Sequence, residues 1–305
     1  MTDQLPADRH VPVLVNQVLA AAGPGGRAVD GTLGDGGHAL ALVEAGFEVL
    51  GVDRDPQAIA RASDRLAGHP VRILQGRFDD PAILEAVTTF RPDFVLLDLG
   101  VSSRQLDDDR LGFSFRPGAP LDMRMDRAGE GAAAYLNEAP VAELRETFAR
   151  LADEPRARRL ALEIDRRRQT TPFETSDDLV NAIRGALGAS SGPGDFARIF
   201  QGVRIRVNDE LDRLNRALPA LRDALAPGGT LAVISYHSGE DRIVKHLFRE
   251  WGRQCICPPV FPVCQCRGRA LGTVVSRRPI LPTDLEVESN PRARSAKLRL
   301  FRVTG

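Results

Sequence analysis

Five short apolar runs, bounded by Gly, Asp or Pro, constrain the fold of this chain more than any other feature of its sequence. They occupy residues 27–30, 48–53, 71–74, 94–99 and 230–236. Segments with helical spacing, notably 39–45 and 57–66, separate the first four runs. Strands that alternate with helices and stay apolar throughout are buried on both faces, so the pattern predicts an α/β fold with a mostly parallel sheet. Two further runs, 273–276 and 297–303, are predicted to add edge strands.

The alternation of strands and helices stops after Leu99. Roughly 130 residues pass before the next run, far more than a crossover connection needs. Helical spacing is clear there in VAELRETFARLA at 141–152 and DDLVNAIRGAL at 177–187. We therefore predict a sheet domain formed by residues 1–104 and 217–305, and a helical domain, 105–216, inserted between the fourth and fifth strands.

The composition is that of an ordinary globular protein, with 41 Lys and Arg against 41 Asp and Glu in 305 residues. No apolar run approaches the ~20 residues of a membrane-spanning helix, and the N-terminal MTDQLPADRH lacks the basic end and apolar middle of a signal peptide. We therefore expect a cytoplasmic protein with no membrane partner. Residues 267–305 hold nine basic and three acidic side chains. Such a tail is typical either of a segment that contacts a polyanion or of a solvated segment whose positive charge offsets the negative charge of the rest of the chain.

The first strand leads into a glycine-rich loop, DGTLGDGGH, at residues 30–38. Glycine lets the backbone pass close to a ligand, and the helix that follows offers free N–H groups. Gly34, Gly36 and Ala39 satisfy the dinucleotide pattern GxGxxG/A. Asp53 stands nineteen residues beyond Gly34, at the end of the second strand, where a carboxylate can hold ribose hydroxyls. This spacing permits NAD, so an NAD-dependent dehydrogenase is one hypothesis.

Two acidic residues at strand ends favour a different ligand. Asp30 closes the first strand and Asp98 the fourth, and the carboxyl ends of parallel strands meet at the edge where open α/β sheets bind ligands. Carboxylates there suit S-adenosylmethionine, whose sulfonium and ammonium groups are positive and which has no pyrophosphate to place at a helix N-terminus. The alternative interpretation is that the loop and its acids serve as turns and helix caps.

Eight long motifs run in order along nearly the whole chain. They are HVPVLVNQVL at 10–19, DGTLGDGGHA at 30–39, VDRDPQAI at 52–59, DLGVSSRQLD at 98–107, GFSFRPGAPLDMRMD at 112–126, FQGVRIRVNDEL at 200–211, SYHSGEDRIVK at 235–245 and NPRARSAKLR at 290–299. Together they resemble the family of small-subunit ribosomal RNA methyltransferase H, also called MraW. The resemblance implies a Rossmann-type (class I) methyltransferase domain with an inserted helical domain.

The activity that this resemblance implies is methyl transfer from S-adenosylmethionine to the exocyclic N(4) amino group of one cytidine in the decoding region of 16S rRNA. The partner implied is 16S rRNA within the small ribosomal subunit, and a homodimer is left open. A non-catalytic RNA-binding assembly factor with a relic cofactor pocket is a further hypothesis.

The resemblance also implies cofactor-binding residues, carried over motif by motif. They lie at strand ends and in loops: Gly36, Gly37, His38, Asp53, Phe78, Asp98 and Gln105. Two of them have alternative interpretations, since Phe78 could pack in the core and His38 could cap its helix. The family usually has Phe where this chain has Tyr236 and Leu where it has Gly239, so the base pocket is expected to differ in detail.

The expected catalytic residues are Asp98, Tyr236 and His237. The amino group of cytosine is a poor nucleophile, and Asp98 or the backbone carbonyls of Leu99 and Gly100 could accept its N–H bonds in the transition state. Tyr236 and His237 are expected to receive the extruded base, although Tyr236 could equally be a core aromatic. Methylation of a ring carbon would need a cysteine near the fourth strand, and all four cysteines lie beyond the fifth strand.

Phosphate contacts are expected from six basic residues: Arg204, Arg206, Arg292, Arg294, Lys297 and Arg299. The arginines within 156–168 are interleaved with acids and are interpreted as a solvated helix face.

The four cysteines are clustered in the sequence, as Cys255, Cys257, Cys264 and Cys266. They are enough for tetrahedral zinc, but their CxC-x6-CxC spacing differs from the usual CxxC pairs. A structural zinc and a reduced thiol cluster both stay open, and no metal is expected in the catalytic chemistry.

Overall fold

The computed structural model describes residues 12–126, 128–258 and 263–305, apart from the side chain of Ser103. Two compact units are present: Met1–Gly100 with Arg213–Gly305 form unit 1, and Val101–Asp212 form unit 2. The predicted helical insertion, 105–216, begins and ends four residues later than unit 2. The MTDQLPADRH segment and the start of the HVPVLVNQVL motif lie outside the described residues.

In the described residues, unit 1 is built on a seven-stranded sheet of order β3-β2-β1-β4-β5-β7-β6. Its strands are β1 Gly26–Asp30, β2 Phe47–Asp53, β3 Val71–Gln75, β4 Phe94–Asp98, β5 Thr230–Ser235, β6 Gly272–Val274 and β7 Lys297–Val303. Strands β1 to β5 are parallel, whereas β7 is antiparallel to β5 and β6. The predicted α/β class with a mostly parallel sheet is confirmed.

One strand expectation is wrong. The run 297–303 forms β7, but β7 lies between β5 and β6 and is not an edge strand. Its residues 298–301 are buried in succession, which is typical of a strand covered on both faces inside a sheet. The edge position belongs to the short strand β6.

Helices connect and flank these strands. In chain order, the α-helices of the described residues are α1 Val15–Ala22, α2 Gly37–Glu44, α3 Pro56–Arg65, α4 Pro81–Phe90, α5 Ser103–Asp107, α6 Ala132–Glu138, α7 Val141–Arg150, α8 Ala157–Arg168, α9 Ser176–Leu187, α10 Pro193–Asn208, α11 Glu210–Ala224, α12 Ser238–Trp251 and α13 Asp284–Ser289. No helix in the described parts of the chain is long and apolar enough to cross a membrane.

Side chains of the central strands alternate between two apolar layers, because successive residues of a strand point to opposite faces. Val29 and Val95 pack in one layer with residues of α4, α11 and α12. Ala28 and Leu96 pack in the other layer with residues of α1, α2 and α3. The helices thereby hold the carboxyl ends of β1, β2, β4 and β5 at one edge of the sheet.

Unit 2 has its own apolar core, formed by helices α6 to α10. Leu144 and Phe148 of α7, Leu160 of α8, Ile183 of α9 and Val203 of α10 are each 0% exposed. The segments with helical spacing at 141–152 and 177–187 form α7 and α9.

Candidate active site

A tight glycine loop joins β1 to α2 at the carboxyl edge of the sheet. Gly34 and Gly36 have φ angles of 51° and 78°, in the left-handed region that favours glycine. Gly36 is the N-cap of α2, and Gly37 is its first residue. The Gly34 N–H donates to Asp53 Oδ2 at 2.7 Å. The loop is therefore tied to the end of β2, and the N–H groups that begin α2 lie beside it.

Asp53 ends β2 and accepts two backbone hydrogen bonds. Its Oδ2 accepts from Gly34 N–H, and its Oδ1 accepts from Asp55 N–H at 2.9 Å. Burial raises the pKa of this carboxyl group, and the two hydrogen bonds oppose that shift. Each oxygen keeps a second lone pair, so Asp53 can also accept from a pair of ligand hydroxyls.

Asp30 ends β1 and is 1% exposed. Its Oδ1 accepts from Thr32 N–H at 3.2 Å, whereas its buried Oδ2 has no hydrogen-bond partner among the described residues. Burial raises the pKa of Asp30 to about 6. A buried carboxylate oxygen without a partner is costly, and a cationic ligand beside it removes that cost.

Asp98 and Tyr236 are brought together at the ends of β4 and β5. The Tyr236 hydroxyl donates to Asp98 Oδ1 at 2.8 Å. Burial raises the pKa of Asp98 to about 7, and the Tyr236 hydrogen bond opposes that shift. The Tyr236 pKa is raised far above its ordinary value by burial and by Asp98, so its hydroxyl stays a donor. The Asp98 side chain is 23% exposed, which leaves it accessible to a ligand.

His38 is the second residue of α2 and does not cap it, so the helix-cap interpretation is wrong. Its Nε2 lies 2.9 Å from the Val13 carbonyl oxygen, to which it donates. Burial lowers the pKa of His38, and this hydrogen bond then places the lone pair of the neutral ring on Nδ1. Nδ1 lies 3.7 Å from Asp98 Oδ2. His38 thus anchors the segment before α1 and borders the second oxygen of Asp98.

His237 is the N-cap of α12, the helix that follows β5. His237 Nδ1 accepts from Gly239 N–H at 3.2 Å, and its Nε2 lies 3.2 Å from Glu240 Oε1. Glu240 is 2% exposed, and its Oε2 accepts from Tyr236 N–H at 2.8 Å. Glu240 therefore positions the backbone of Tyr236. His237 and Glu240 have the spacing of a capping box, with histidine in the position that usually holds Ser or Thr.

The two remaining cofactor candidates differ in their surroundings. Phe78 is half-buried against the apolar layer of α4, and its Cβ lies 3.7 Å from the point where a Cβ on Gly31 would stand. Phe78 thus packs in the core and also borders the glycine loop. Gln105 belongs to unit 2, where its Oε1 accepts from Ser102 N–H at 2.9 Å and completes a capping box of α5. Its contact with a cofactor stays a prediction.

Three of the arginines expected to bind phosphate form internal ion pairs: the exposed Arg206 pairs with Glu143, and the largely buried Arg204 and Arg299 are committed to pairs of their own. Arg299 is 7% exposed, and its Nε and second terminal nitrogen donate to the two carboxylate oxygens of Asp241 at 2.6 and 3.1 Å. Arg204 donates to both oxygens of Glu210 at 2.9 and 3.0 Å. The expectation of RNA contact is wrong for both, because a buried guanidinium held by two hydrogen bonds is unavailable to a phosphate.

The arginines of α8 are only partly a solvated face. Arg166 and Arg167 donate to Glu163 on the helix surface, as the interleaved charges predict. Arg168 instead donates to the carbonyls of Leu136 and Ala139 at 3.1 and 2.7 Å. The Arg168 side chain therefore provides hydrogen-bond donors for the backbone carbonyl groups at the C-terminal end of α6, within unit 2.

Comparison with known proteins gives matches over nearly the whole chain. A family model described as the MraW methylase family matches residues 7–304. Ribosomal RNA small subunit methyltransferase H of Gemmatimonas aurantiaca is 54% identical over 299 residues, covering 96% of this chain and 95% of that protein. Proteins of the same name from Heliobacterium modesticaldum and Trichlorobacter lovleyi are each 45% identical, covering 95% of this chain and 97% and 96% of their own lengths.

Proposed function

The chain belongs to the MraW methylase family, and on that premise we propose that it transfers a methyl group from S-adenosylmethionine to the N(4) amino nitrogen of a cytidine in 16S rRNA. The observation that carries the proposal is the Asp98–Tyr236 pair beside the glycine loop. The name of the relatives supports an rRNA substrate, and we extend it to rRNA within the small ribosomal subunit, in the cytoplasm. Membership of a methylase family does not favour the dehydrogenase hypothesis.

The acids around the glycine loop fit a cationic cofactor. Asp30 Oδ2 is buried without a partner among the described residues, which is the environment that a positively charged group stabilises. Asp53 keeps lone pairs for ribose hydroxyls, and Phe78 borders the loop where an adenine ring can pack. The backbone N–H groups of Gly36 and Gly37, at the start of α2, are the remaining members of this proposed cofactor site. When bound, S-adenosylmethionine supplies an electrophilic methyl group.

Asp98 is the residue that we assign to the amino group of cytosine. Its Oδ1 already accepts from the Tyr236 hydroxyl, and we assign the substrate N–H to Oδ2, which accepts no hydrogen bond among the described residues. Accepting that bond favours the pyramidal nitrogen of the transition state. The nitrogen loses a proton after it is methylated, and a carboxyl group with a pKa near 7 can take that proton at neutral pH.

The surroundings of Asp98 keep its carboxylate in one orientation. Tyr236 fixes Oδ1 from β5, and Glu240 fixes the backbone of Tyr236. His38 borders Oδ2 with a neutral ring, so no positive charge competes with the substrate for that oxygen. We therefore place His237, the N-cap of α12, in a supporting role at the edge of the base pocket, where its ring is already bound to Gly239 N–H.

The proposed function is tested by methylation of two substrates, naked 16S rRNA and assembled small subunits, with labelled S-adenosylmethionine. Nuclease digestion and mass spectrometry then identify the modified nucleoside and its position. We expect N(4)-methylcytidine at a single position. A methyl group on a ring carbon or on ribose contradicts the proposed chemistry, and a protein that binds subunits without methylating them supports the assembly-factor hypothesis instead.

Replacing Asp53 with Ala is expected to weaken S-adenosylmethionine binding about 10- to 100-fold, because hydrogen bonds to a charged group contribute about 1.5–3 kcal/mol. Isothermal titration calorimetry measures the loss. Asp55→Ala is the matched control, since Asp55 caps α3 by accepting from Gln57 N–H at 2.9 Å. An Asp53→Ala protein that is folded and binds the cofactor with unchanged Kd contradicts the assignment of the ribose site.

An exposed basic stripe on α12 is a stronger candidate for phosphate contact than Arg204 or Arg299. Three members of the stripe, Arg242, Lys245 and Arg249, repeat three or four residues apart and so share one face of α12, and the fourth, Arg253, lies two residues beyond the end of the helix. With His246, Glu250 and Ile256 they line a hollow of about 550 Å³. No carboxylate in the described parts of the chain forms an ion pair with these four cations. We propose that this stripe contacts the rRNA backbone.

Neutralising the stripe with four Gln substitutions is expected to reduce the slope of log K against log salt for RNA binding by about 2–4, since each phosphate contact contributes about 0.7–0.9. Filter binding across a salt series measures the slope. Arg145, Arg150, Arg158 and Arg159, exposed on α7 and α8, provide a control with the same change in net charge. An equal fall in both proteins means that total charge, and not the stripe, governs binding.

A further inference from the structure

The four cysteines of the chain converge in one cluster after the end of α12. Cys257 Sγ lies 4.0 Å from Cys264 Sγ, Cys264 Sγ lies 3.5 Å from Cys266 Sγ, and Cys266 Sγ lies 3.9 Å from Cys255 Sγ. All four sulfur atoms lie within 4.8 Å of one another. We propose that these four thiolates bind one structural Zn²⁺ ion, in a site that takes no part in methyl transfer.

The distances between the sulfur atoms fit a tetrahedral metal site. Four sulfurs placed about 2.3 Å from a central zinc ion are about 3.8 Å from one another. The three separations between neighbouring sulfur atoms, 3.5, 3.9 and 4.0 Å, bracket that value. They are nearly twice the length of a disulfide bond, about 2.05 Å, so the cluster is not a pair of disulfides. A set of four thiolates in this geometry selects zinc over magnesium or calcium, which prefer oxygen ligands.

Two backbone N–H groups donate hydrogen bonds to cysteine sulfur atoms, as backbone groups do around metal ligands. The Ile256 N–H donates to Cys266 Sγ at 3.3 Å, and the Gln265 N–H donates to Cys257 Sγ at 3.3 Å. Each hydrogen bond crosses from one CxC pair to the other. Such donors stabilise negative charge on thiolate sulfur and fix the orientation of the ligands. The two pairs are thus arranged around a common centre although the spacing within each pair is CxC.

The cysteine cluster lies in a segment that has little regular structure and little apolar burial to hold it in place. Between α12 and β6 the described residues form no helix or strand, and Ile256 and Val263 are 41% and 69% exposed. The ends of the segment are anchored by Leu271 N–H, which donates to the Trp251 carbonyl at 2.8 Å, and by Arg267, which donates to the Glu250 carbonyl at 2.5 Å. With so little apolar burial in between, metal binding can supply the free energy that orders the segment.

The decisive experiment measures metal on the full-length protein, purified without a polyhistidine tag and without chelator. We expect about one zinc per chain by inductively coupled plasma mass spectrometry. Replacement of zinc by Co²⁺ is expected to produce thiolate charge-transfer bands and the intense visible bands of tetrahedral cobalt. Substoichiometric zinc in the native protein, or a cobalt spectrum without thiolate bands, overturns the proposal.

Variants connect the metal to these residues. Cys257→Ser with Cys264→Ser is expected to abolish zinc binding, whereas Gln254→Ser with Gln265→Ser, which changes neighbours of the cysteines, should retain it. Because the cysteine variant could unfold locally, limited trypsin digestion of the wild type gives a second readout. Chelator treatment should open cleavage at Arg253, Arg267 and Arg269, and added Zn²⁺ should protect these sites again. Zinc retained by the cysteine variant, or cleavage unaffected by chelator, contradicts the site.

Discussion

Replacing Asp98 with Asn is expected to lower kcat for methyl transfer by about 10²- to 10³-fold, the usual effect of removing one preorganised hydrogen-bonding group from a transition state. Asparagine can still accept from the Tyr236 hydroxyl, so the arrangement of β4 and β5 is preserved. Its other terminal atom is an NH₂ group, which cannot accept the N–H of cytosine or take up a proton. Single-turnover methylation of small subunits measures the rate. A parallel measurement of the Kd for S-adenosylmethionine separates this effect from a loss of cofactor binding, for which Asp98 is also a candidate.

Asp93→Asn is the matched control, because Asp93 immediately precedes β4 at the amino edge of the sheet and accepts from Arg27 N–H at 2.9 Å. It should methylate at nearly the wild-type rate. Equal rates for the Asp98→Asn and Asp93→Asn proteins contradict the role of Asp98.

The pH dependence gives the same prediction a second readout. Asp98 must be ionised to accept an N–H or a proton, and its pKa is raised to about 7. The rate is therefore expected to rise with pH through about 7 in the wild type and to lose this inflection in Asp98→Asn. Tyr236→Phe removes a hydrogen bond that lowers the Asp98 pKa, so its inflection should move to higher pH. An inflection that stays in place in Tyr236→Phe shows that the titrating group is not Asp98.

Much of the site follows from general properties of parallel sheets. Asp30, Asp53 and Asp98 are the last residues of β1, β2 and β4, and the carboxyl ends of parallel strands meet at one edge. The sequence therefore predicts that the three acids share this edge, together with the glycine loop. The pairing of Asp98 with Ile234 in adjacent strands then places Tyr236, two residues further on, near Asp98.

The remaining features depend on contacts that periodicity does not encode. Arg299 reads as a basic residue in a basic tail, but β7 enters the sheet beside β5 and buries it against Asp241. Arg204 likewise pairs with a carboxylate only six positions away, because α10 ends at residue 208 and the chain turns. The convergence of the two CxC pairs requires the intervening chain to fold back, and spacing alone does not determine this.

Asn208 shows how a residue inside a recognised motif can have a role that the motif does not reveal. It ends α10 in unit 2 and is 7% exposed. Its Oδ1 accepts from Met125 N–H at 3.0 Å, and its Nδ2 donates to the Met123 carbonyl at 2.8 Å. Met123 itself has a φ of 60°, in the left-handed region that is unfavourable for a side chain of this size. Asn208 therefore holds the GFSFRPGAPLDMRMD motif in a conformation that it would not adopt alone.

Replacing Asn208 with Leu is expected to destabilise unit 2 by about 2–5 kcal/mol, since it leaves two buried backbone groups unpaired at about 1–3 kcal/mol each. Hydrogen exchange should show lost protection at Met125, and urea unfolding should show a lower midpoint. Asn181→Leu is the control, because Asn181 is exposed on α9 and should cost less than about 0.5 kcal/mol. Similar stabilities for the two variants would mean that Met123 keeps its left-handed backbone without help from Asn208. The strain at Met123 would then be offset by the packing of the Met123 side chain, which is 0% exposed.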